Sequence, residues 1–200
     1  MNPDSNLHVL VLAAGAASRF GSPKQLVRVG GQPLLHRAVS QATQVAGGAV
    51  TVVLGAHAQQ LTPLLRHSPA SVLINRNWEE GLASSLRLGV AALPGGCEGV
   101  LVTLADQAAV TTFDLQRLAS AWRRQPEWVI AASYSSHTGV PAVFPAHTFA
   151  SFGALRGDAG ARAIIARHAD RCLRIPMPNA AIDIDTPEDL LTLEAGGSIS

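Results

Sequence analysis

Short apolar runs alternate with stretches of helical periodicity along the whole chain, and this alternation restricts the possible folds more than any other property of the sequence. The strand-like runs are residues 7–13, 49–54, 71–74, 99–104, 129–133, 140–144 and 172–175; the helix-like stretches are residues 33–45, 58–66, 82–92, 112–124, 158–168 and 187–194. In the first helical stretch Leu34, Leu35, Ala38, Val39, Ala42 and Val45 fall on one face at a 3.6-residue period, and Pro33 suits its first turn. In the last, Thr186 reads as an N-cap, with Pro187 at the first position and Glu188 and Asp189 near the positive helix end. The early strand-like runs are apolar at successive positions, as strands covered on both faces require. This order predicts three α/β/α layers around a mostly parallel mixed sheet of Rossmann-like type. After Ser133 the runs shorten and Gly and Pro become more frequent, which suggests an antiparallel element there.

With 200 residues, 48% of them apolar and 14% charged, the chain can bury a sizeable core and is expected to form a single domain over residues 1–200. Aromatic residues are only 4%, so Ala, Val, Leu and Ile must build that core. A net charge of +1, without any long Lys or Arg run, argues against extensive nucleic-acid binding, while a small anion held by a few local cations fits. Cys97 and Cys172 form no metal-spacing pair and read as free thiols of a reducing compartment; the seven His residues show no zinc-ligand spacing. The first six residues carry no apolar leader core, and no run reaches membrane-span length. The expectation is a cytoplasmic protein with no membrane partner.

Residues 12–26, LAAGAASRFGSPKQL, follow the first strand-like run and carry the strongest functional signal. Gly15 and Gly21 permit close backbone approach, free N–H groups can cradle phosphate oxygens, Arg19 offers a planar fork of donors and Lys24 a mobile point charge. The segment is neither a Walker A loop nor a dinucleotide fingerprint: Lys24 lacks the preceding Gly and the following Ser or Thr, and no GxGxxG is present. A plain βα turn with solvated cations is the alternative to a polyphosphate site. Asp106 ends another strand-like run in the segment LADQ, where a carboxylate serves equally as a helix cap or as a ligand for Mg²⁺. In residues 182–185, alternation puts Asp183 and Asp185 on one side of an extended segment, opposite Ile182 and Ile184. Asp185 suits a cap for the next helix, which leaves Asp183 as the better metal candidate. Residues 81–90, GLASSLRLGV, read as a helix opened by an N-cap at Ser84 or Ser85. His57 stands after a strand and suits a loop role, and Trp78 is the one Trp near Gly81.

The first of these segments resembles the LAAGxSxRxGxxKxL motif of the MobA-like nucleotidyltransferases. Its AAG form and PKQL ending are similar to the molybdenum cofactor cytidylyltransferase branch. Further resemblances follow in family order at residues 81–90, 104–107, 157–162 and 183–190. The resemblance implies a nucleotidyltransferase that transfers CMP from CTP to the terminal phosphate of molybdopterin and releases pyrophosphate. Residues 1–110 would then form the nucleotide-binding part and residues 111–200 the acceptor-binding part. It implies nucleotide contacts from Leu12, Ala13, Ala14, Gly15, Ser18, Arg19, Lys24, Gly81 and Ser85, with Arg19, Lys24 and Asp106 catalytic and Asp106 and Asp183 holding Mg²⁺. It further implies that the stretch LRGDAGAR, residues 155–162, lines the acceptor pocket, with Arg156 or Arg162 available to an anionic group, and that a molybdenum hydroxylase is a partner. Two positions depart from the pattern: Ala108 follows Gln107 where Pro is usual, and Val140 stands where the Gly-His-Pro turn has His, with His137 nearby. GTP or a sugar or polyol phosphate in place of these substrates, and a non-catalytic protein that delivers the molybdenum cofactor, are the alternatives.

Overall fold

The computed structural model describes residues 6–16 and 23–182. Ser18, Arg19, Gly21, Asp183, Asp185 and the helix expected over residues 187–194 lie outside the described residues. The elements run β1 (Leu7–Ala13), β2 (Arg28–Val29), β3 (Gln32–Pro33), α1 (Leu34–Ala46), β4 (Val50–Leu54), α2 (Ala58–Leu61), β5 (Ser71–Ile74), α3 (Leu82–Ala91), β6 (Gly99–Leu104), α4 (Thr112–Arg124), β7 (Val129–Tyr134), β8 (His137–Pro145), α5 (Phe149–Phe152), α6 (Arg162–Arg167) and β9 (Cys172–Pro176). Seven strands form one sheet in the order β5-β4-β1-β6-β8-β7-β9. β5, β4, β1 and β6 are mutually parallel; β8 is antiparallel to both β6 and β7, and β9 returns parallel to β7. The expected mostly parallel mixed sheet is present, and the antiparallel element falls after Ser133.

Every residue of β1 and β4 is buried, as strands with helices on both faces must be. Alternation along β1 divides the core in two. Val9 and Val11 face Leu35, Val39, Leu115, Leu118 and Trp122 of α1 and α4, whereas Leu10 and Leu12 face Ala83 and Leu86 of α3, Phe152 of α5 and Ile164 of α6. α4 matches its expected bounds because its start is chemically marked. Thr111 and Asp114 form a reciprocal capping box, in which the Asp114 N–H donates to Thr111 Oγ1 and the Thr111 N–H donates to Asp114 Oδ2.

Two helices are shorter than the sequence pattern predicts. The stretch 58–66 is α2 followed by a 3₁₀ turn over Thr62–Leu65, with Pro63 at the start of that turn. The stretch 158–168 becomes helical only at Arg162, because Gly157 at φ +58° and Gly160 hold the preceding chain in turns. Pro33 lies just before α1 rather than in its first turn, paired with Arg28 in the small β2–β3 hairpin that the sequence pattern does not reveal.

Candidate active site

β1 and β6 are neighbours in register, with Leu12 opposite Leu104, so their carboxyl ends release the two motif-bearing loops side by side. A cleft of about 450 Å³ opens there. Leu12, Ala13, Ala14, Gly15, Lys24, Gly81, Ser85 and Asp106 all line it, together with Ala16, Gln25, Trp78, Glu79 and Asp158. These eight of the residues that the sequence singles out thus converge from three separate segments, in the crevice where open α/β sheets bind ligands.

The loop leaving β1 is held by its carbonyls. The side-chain amide of Gln25, 4% exposed, donates from Nε2 to Ala13 O at 3.3 Å and to Gly15 O at 3.2 Å. The Ala56 N–H donates to Ala14 O at 3.2 Å, and His57 Nε2 lies 2.9 Å from Ala16 O. A carbonyl only accepts, so His57 carries its proton on Nε2. In a trans peptide the carbonyl and the next N–H point in opposite directions. Fixing the carbonyls of Ala13, Ala14 and Gly15 to scaffold donors therefore fixes where the N–H groups of Ala14, Gly15 and Ala16 point, which is how a backbone cradle for an anion is built. Gly55 allows this packing: a Cβ there would stand 2.5 Å from Ala14 O and 2.8 Å from Trp78 Cβ. His57 belongs to the loop scaffold and lines a shallower groove on the β4–β5 side, not the cleft itself.

Lys24 Nζ reaches Asp106 Oδ2 at 2.6 Å, with the two side chains 15% and 24% exposed. Asp106 Oδ1 is buried and has no hydrogen-bond partner. An unsatisfied carboxylate oxygen costs about 1–3 kcal/mol, and a hard oxygen-seeking cation is a chemically apt partner for it. No group of three His, Cys, Asp or Glu side chains able to hold a metal occurs among the described residues. Asp106 would therefore share a cation with ligand oxygens or with residues outside that set.

The far wall is α3 and the turn before it. The cap of α3 is Gly81, at φ +92° and ψ −176°, a conformation closed to side-chain-bearing residues. This replaces the N-cap expected at Ser84 or Ser85, which lie inside the helix. Ser84 Oγ donates to Gly81 O at 2.8 Å, and Asn75 Nδ2 donates to the hydroxyl oxygens of both Ser84 and Ser85, at 2.8 and 2.9 Å. Asn75 Oδ1 accepts from the Asn77 N–H at 2.9 Å, which fixes the orientation of the amide. The Ser85 hydroxyl, having accepted from Asn75, keeps its proton to donate. A Cβ on Gly81 would stand 2.5 Å from both Gly157 O and Asp158 Oδ1, so the LRGDAGAR stretch packs directly on this turn. Asp158 consequently lines the cleft beside Gly81 and Ser85. Arg156 Nη1 donates to Gly153 O and Leu155 O, both at 2.7 Å. Arg162 points its Nη2 toward Gly139 of β8, 3.9 Å from where a Cβ would lie.

Gln107, after Asp106, is 5% exposed and donates from Nε2 to Val140 O at 3.0 Å and to Ala180 O at 3.1 Å. It joins the end of β6 to β8 and to the turn that precedes Asp183. Gln25, Asn75 and Gln107 were missed by sequence reasoning. For Gln25 and Gln107 the one available signal is an amide side chain directly after a motif residue; Asn75, which follows β5, has none.

Comparison with known proteins agrees with this arrangement. The chain is 32% identical over 167 residues to the nicotine blue oxidoreductase of Paenarthrobacter nicotinovorans, covering 78% of this chain and 79% of that protein. It is 36% identical over 117 residues to the bifunctional protein GlmU of Kineococcus radiotolerans, a match to 56% of this chain and only 24% of the length of that relative. The crystal structure of Rv0371c from Mycobacterium tuberculosis H37Rv superimposes with a TM-score of 0.81 at 26% identity, over 94% of this chain and 97% of that one. Residues 9–172 match the model of the MobA-like NTP transferase domain, a span that holds the β1 loop, Lys24, Gly81, Ser85 and Asp106; the chain belongs to that family and is a nucleotidyltransferase.

Proposed function

We propose that the enzyme transfers CMP from CTP to the terminal phosphate of molybdopterin and releases pyrophosphate, with Mg²⁺ as its metal. The observation that carries the transfer chemistry is the Lys24–Asp106 pair at the mouth of β1 and β6, with Asp106 Oδ1 left without a partner. The choice of CTP and molybdopterin is supported by the AAG, PKQL and LRGDAGAR segments.

In this reading the backbone of residues 12–16 holds the phosphates, and Ser18 and Arg19 extend that hold. Gly81 and Ser85 contact the nucleoside. Lys24 exchanges its carboxylate partner for phosphate oxygens and offsets the negative charge that shifts toward the leaving pyrophosphate. Asp106, whose Oδ1 is left without a partner, would hold Mg²⁺ with Asp183 as the second carboxylate. When bound, Mg²⁺ supplies Lewis-acid charge neutralisation at the triphosphate. A phosphate monoester acceptor is already anionic near neutral pH, so the residues need only align it; no strong general base is required. Residues 111–200 provide the acceptor side, with Arg162 beside Gly139 available to an anionic group. A cytoplasmic location and a molybdenum hydroxylase as recipient accord with this role.

The test is pyrophosphate release by purified protein supplied with Mg²⁺, molybdopterin and each triphosphate in turn. Release confined to CTP is expected. Release with GTP, or with a sugar or polyol phosphate as acceptor, would reassign the substrates within the same chemistry. Molybdopterin binding without pyrophosphate would point instead to a delivery protein.

A further inference from the structure

We propose that Gln25 is a positioning residue that makes the phosphate-binding backbone and Lys24 into one rigid unit. This rests on the reading of the cleft as a triphosphate site. Gln25 follows Lys24 in the 3₁₀ turn Lys24–Leu26, while its side chain reaches back to Ala13 O and Gly15 O. Ala13 ends β1 and Lys24 opens the 3₁₀ turn, and this amide joins the two as a clasp. Its orientation is fixed, because both contacts are carbonyls and only Nε2 can donate to them. Its Oε1 is buried without a partner. Burying an acceptor unpaired is unfavourable, so two donated bonds at this position outweigh a vacant third. The outcome is a set distance between the Lys24 backbone, from which the ammonium reaches, and the N–H groups that follow Ala13 and Gly15. A polyphosphate bridging the ammonium and the amides requires that distance to be fixed before it binds, since ordering it afterwards would weaken association.

The inference predicts a phosphate-directed effect that is independent of the base. Binding of Mg-CTP and of base-free Mg-tripolyphosphate should be measured by calorimetry without acceptor, for wild type, Gln25→Leu, Gln25→Asn and Lys24→Ala, and for the double variant Gln25→Leu/Lys24→Ala. Gln25→Asn keeps an amide too short to span both carbonyls, and serves if the apolar variant does not fold. Both single Gln25 variants should weaken both ligands about tenfold or more while keeping a cooperative thermal transition. The double variant should be scarcely weaker than Lys24→Ala alone, because the lysine and the clasp act together. Unchanged affinity in a folded Gln25 variant, losses that add to those of Lys24→Ala, or a loss seen with CTP but not with tripolyphosphate would each overturn the proposal. If wild type binds neither probe, the triphosphate reading of the cleft fails as well, a result distinct from wild-type binding that Gln25 does not influence.

Discussion

Lys24 and Asp106 illustrate how far single residues could be read from the chain. Asp106 follows the end of β6 and Lys24 opens the 3₁₀ turn Lys24–Leu26; each motif pointed to charge handling, but their contact at 2.6 Å depends on the parallel pairing of β1 with β6 and has no local signature. The same holds for Gln25, Asn75 and Gln107: an amide buried by tertiary contact looks in sequence like any surface amide. Asp158 shows the reverse case: its stretch is expected at the acceptor pocket, and packing of Gly157 on Gly81 brings it to this cleft. At this scale the charge pair makes a direct prediction. Lys24→Ala should lower pyrophosphate release by about 100-fold or more, since it removes a cation aimed at transition-state charge. Asp106→Asn should do the same with a sharply raised Mg²⁺ requirement, because an amide keeps the shape and loses the charge that attracts the ion. Circular dichroism and melting temperature should stay close to wild type for both. Undiminished turnover in either folded variant would remove that residue from the mechanism.

Among the elements, β1, β5, β6 and α4 matched their expected bounds, and the reasons are visible. The strands are short runs of apolar residues bounded by polar or turn residues, and α4 begins at a capping box. Helices near glycine-rich turns or an interior proline were overextended, because 3.6-residue periodicity continues through residues whose backbone is not helical. Gly81 is the element boundary with most at stake. Gly81→Ala would force a Cβ to within 2.5 Å of the Gly157 carbonyl in a backbone conformation alanine avoids, so about 1–3 kcal/mol of stability should be lost and nucleotide affinity should fall with it. Urea denaturation and calorimetry check the two effects. β1 also carries a buried histidine: His8 is 8% exposed, with Nε2 2.8 Å from Thr51 Oγ1 of β4 and Nδ1 unpartnered. Burial lowers its pKa below the ordinary 6.5. The unfolded chain therefore binds the proton more readily than the fold. Stability is complete above about pH 6.5 and falls as pH drops from there toward the lowered folded value. His8→Gln should flatten that slope between about pH 7.5 and about pH 5.5, measured as the urea midpoint at each pH; a slope equal to wild type would show that His8 does not set it.

For the whole molecule, the layered α/β architecture was legible because helix and strand periods alternate, whereas the strand order was not. Placing β8 between β6 and β7 depends on pairing Gly99–Val102 with Ala142–Pro145 across more than forty residues of chain, and nothing local announces it. That pairing bears on the division into a nucleotide part, residues 1–110, and an acceptor part, residues 111–200. β6 belongs to the first part and lies mid-sheet, bonded to β1 on one side and to β8 on the other. Both core clusters cross the same boundary: Val9, Leu35 and Val52 pack with Leu115, Trp122 and Val143, and Leu10 and Leu86 with Phe144 and Ile164. The Gln107 bonds to Val140 and Ala180 span it again, next to the proposed metal carboxylate. The proposed nucleotide and acceptor parts therefore share one core, and they should not unfold separately. Urea unfolding followed by tryptophan fluorescence and by far-ultraviolet circular dichroism should give coincident single transitions. A fragment of residues 1–110 should fail to show one, since it would leave the edge of β6 unpaired and both clusters without their partners from residues 111–200. Two separated transitions, or a cooperatively folded fragment, would mean that the acceptor side is an independent unit and that the donor cleft can form without it.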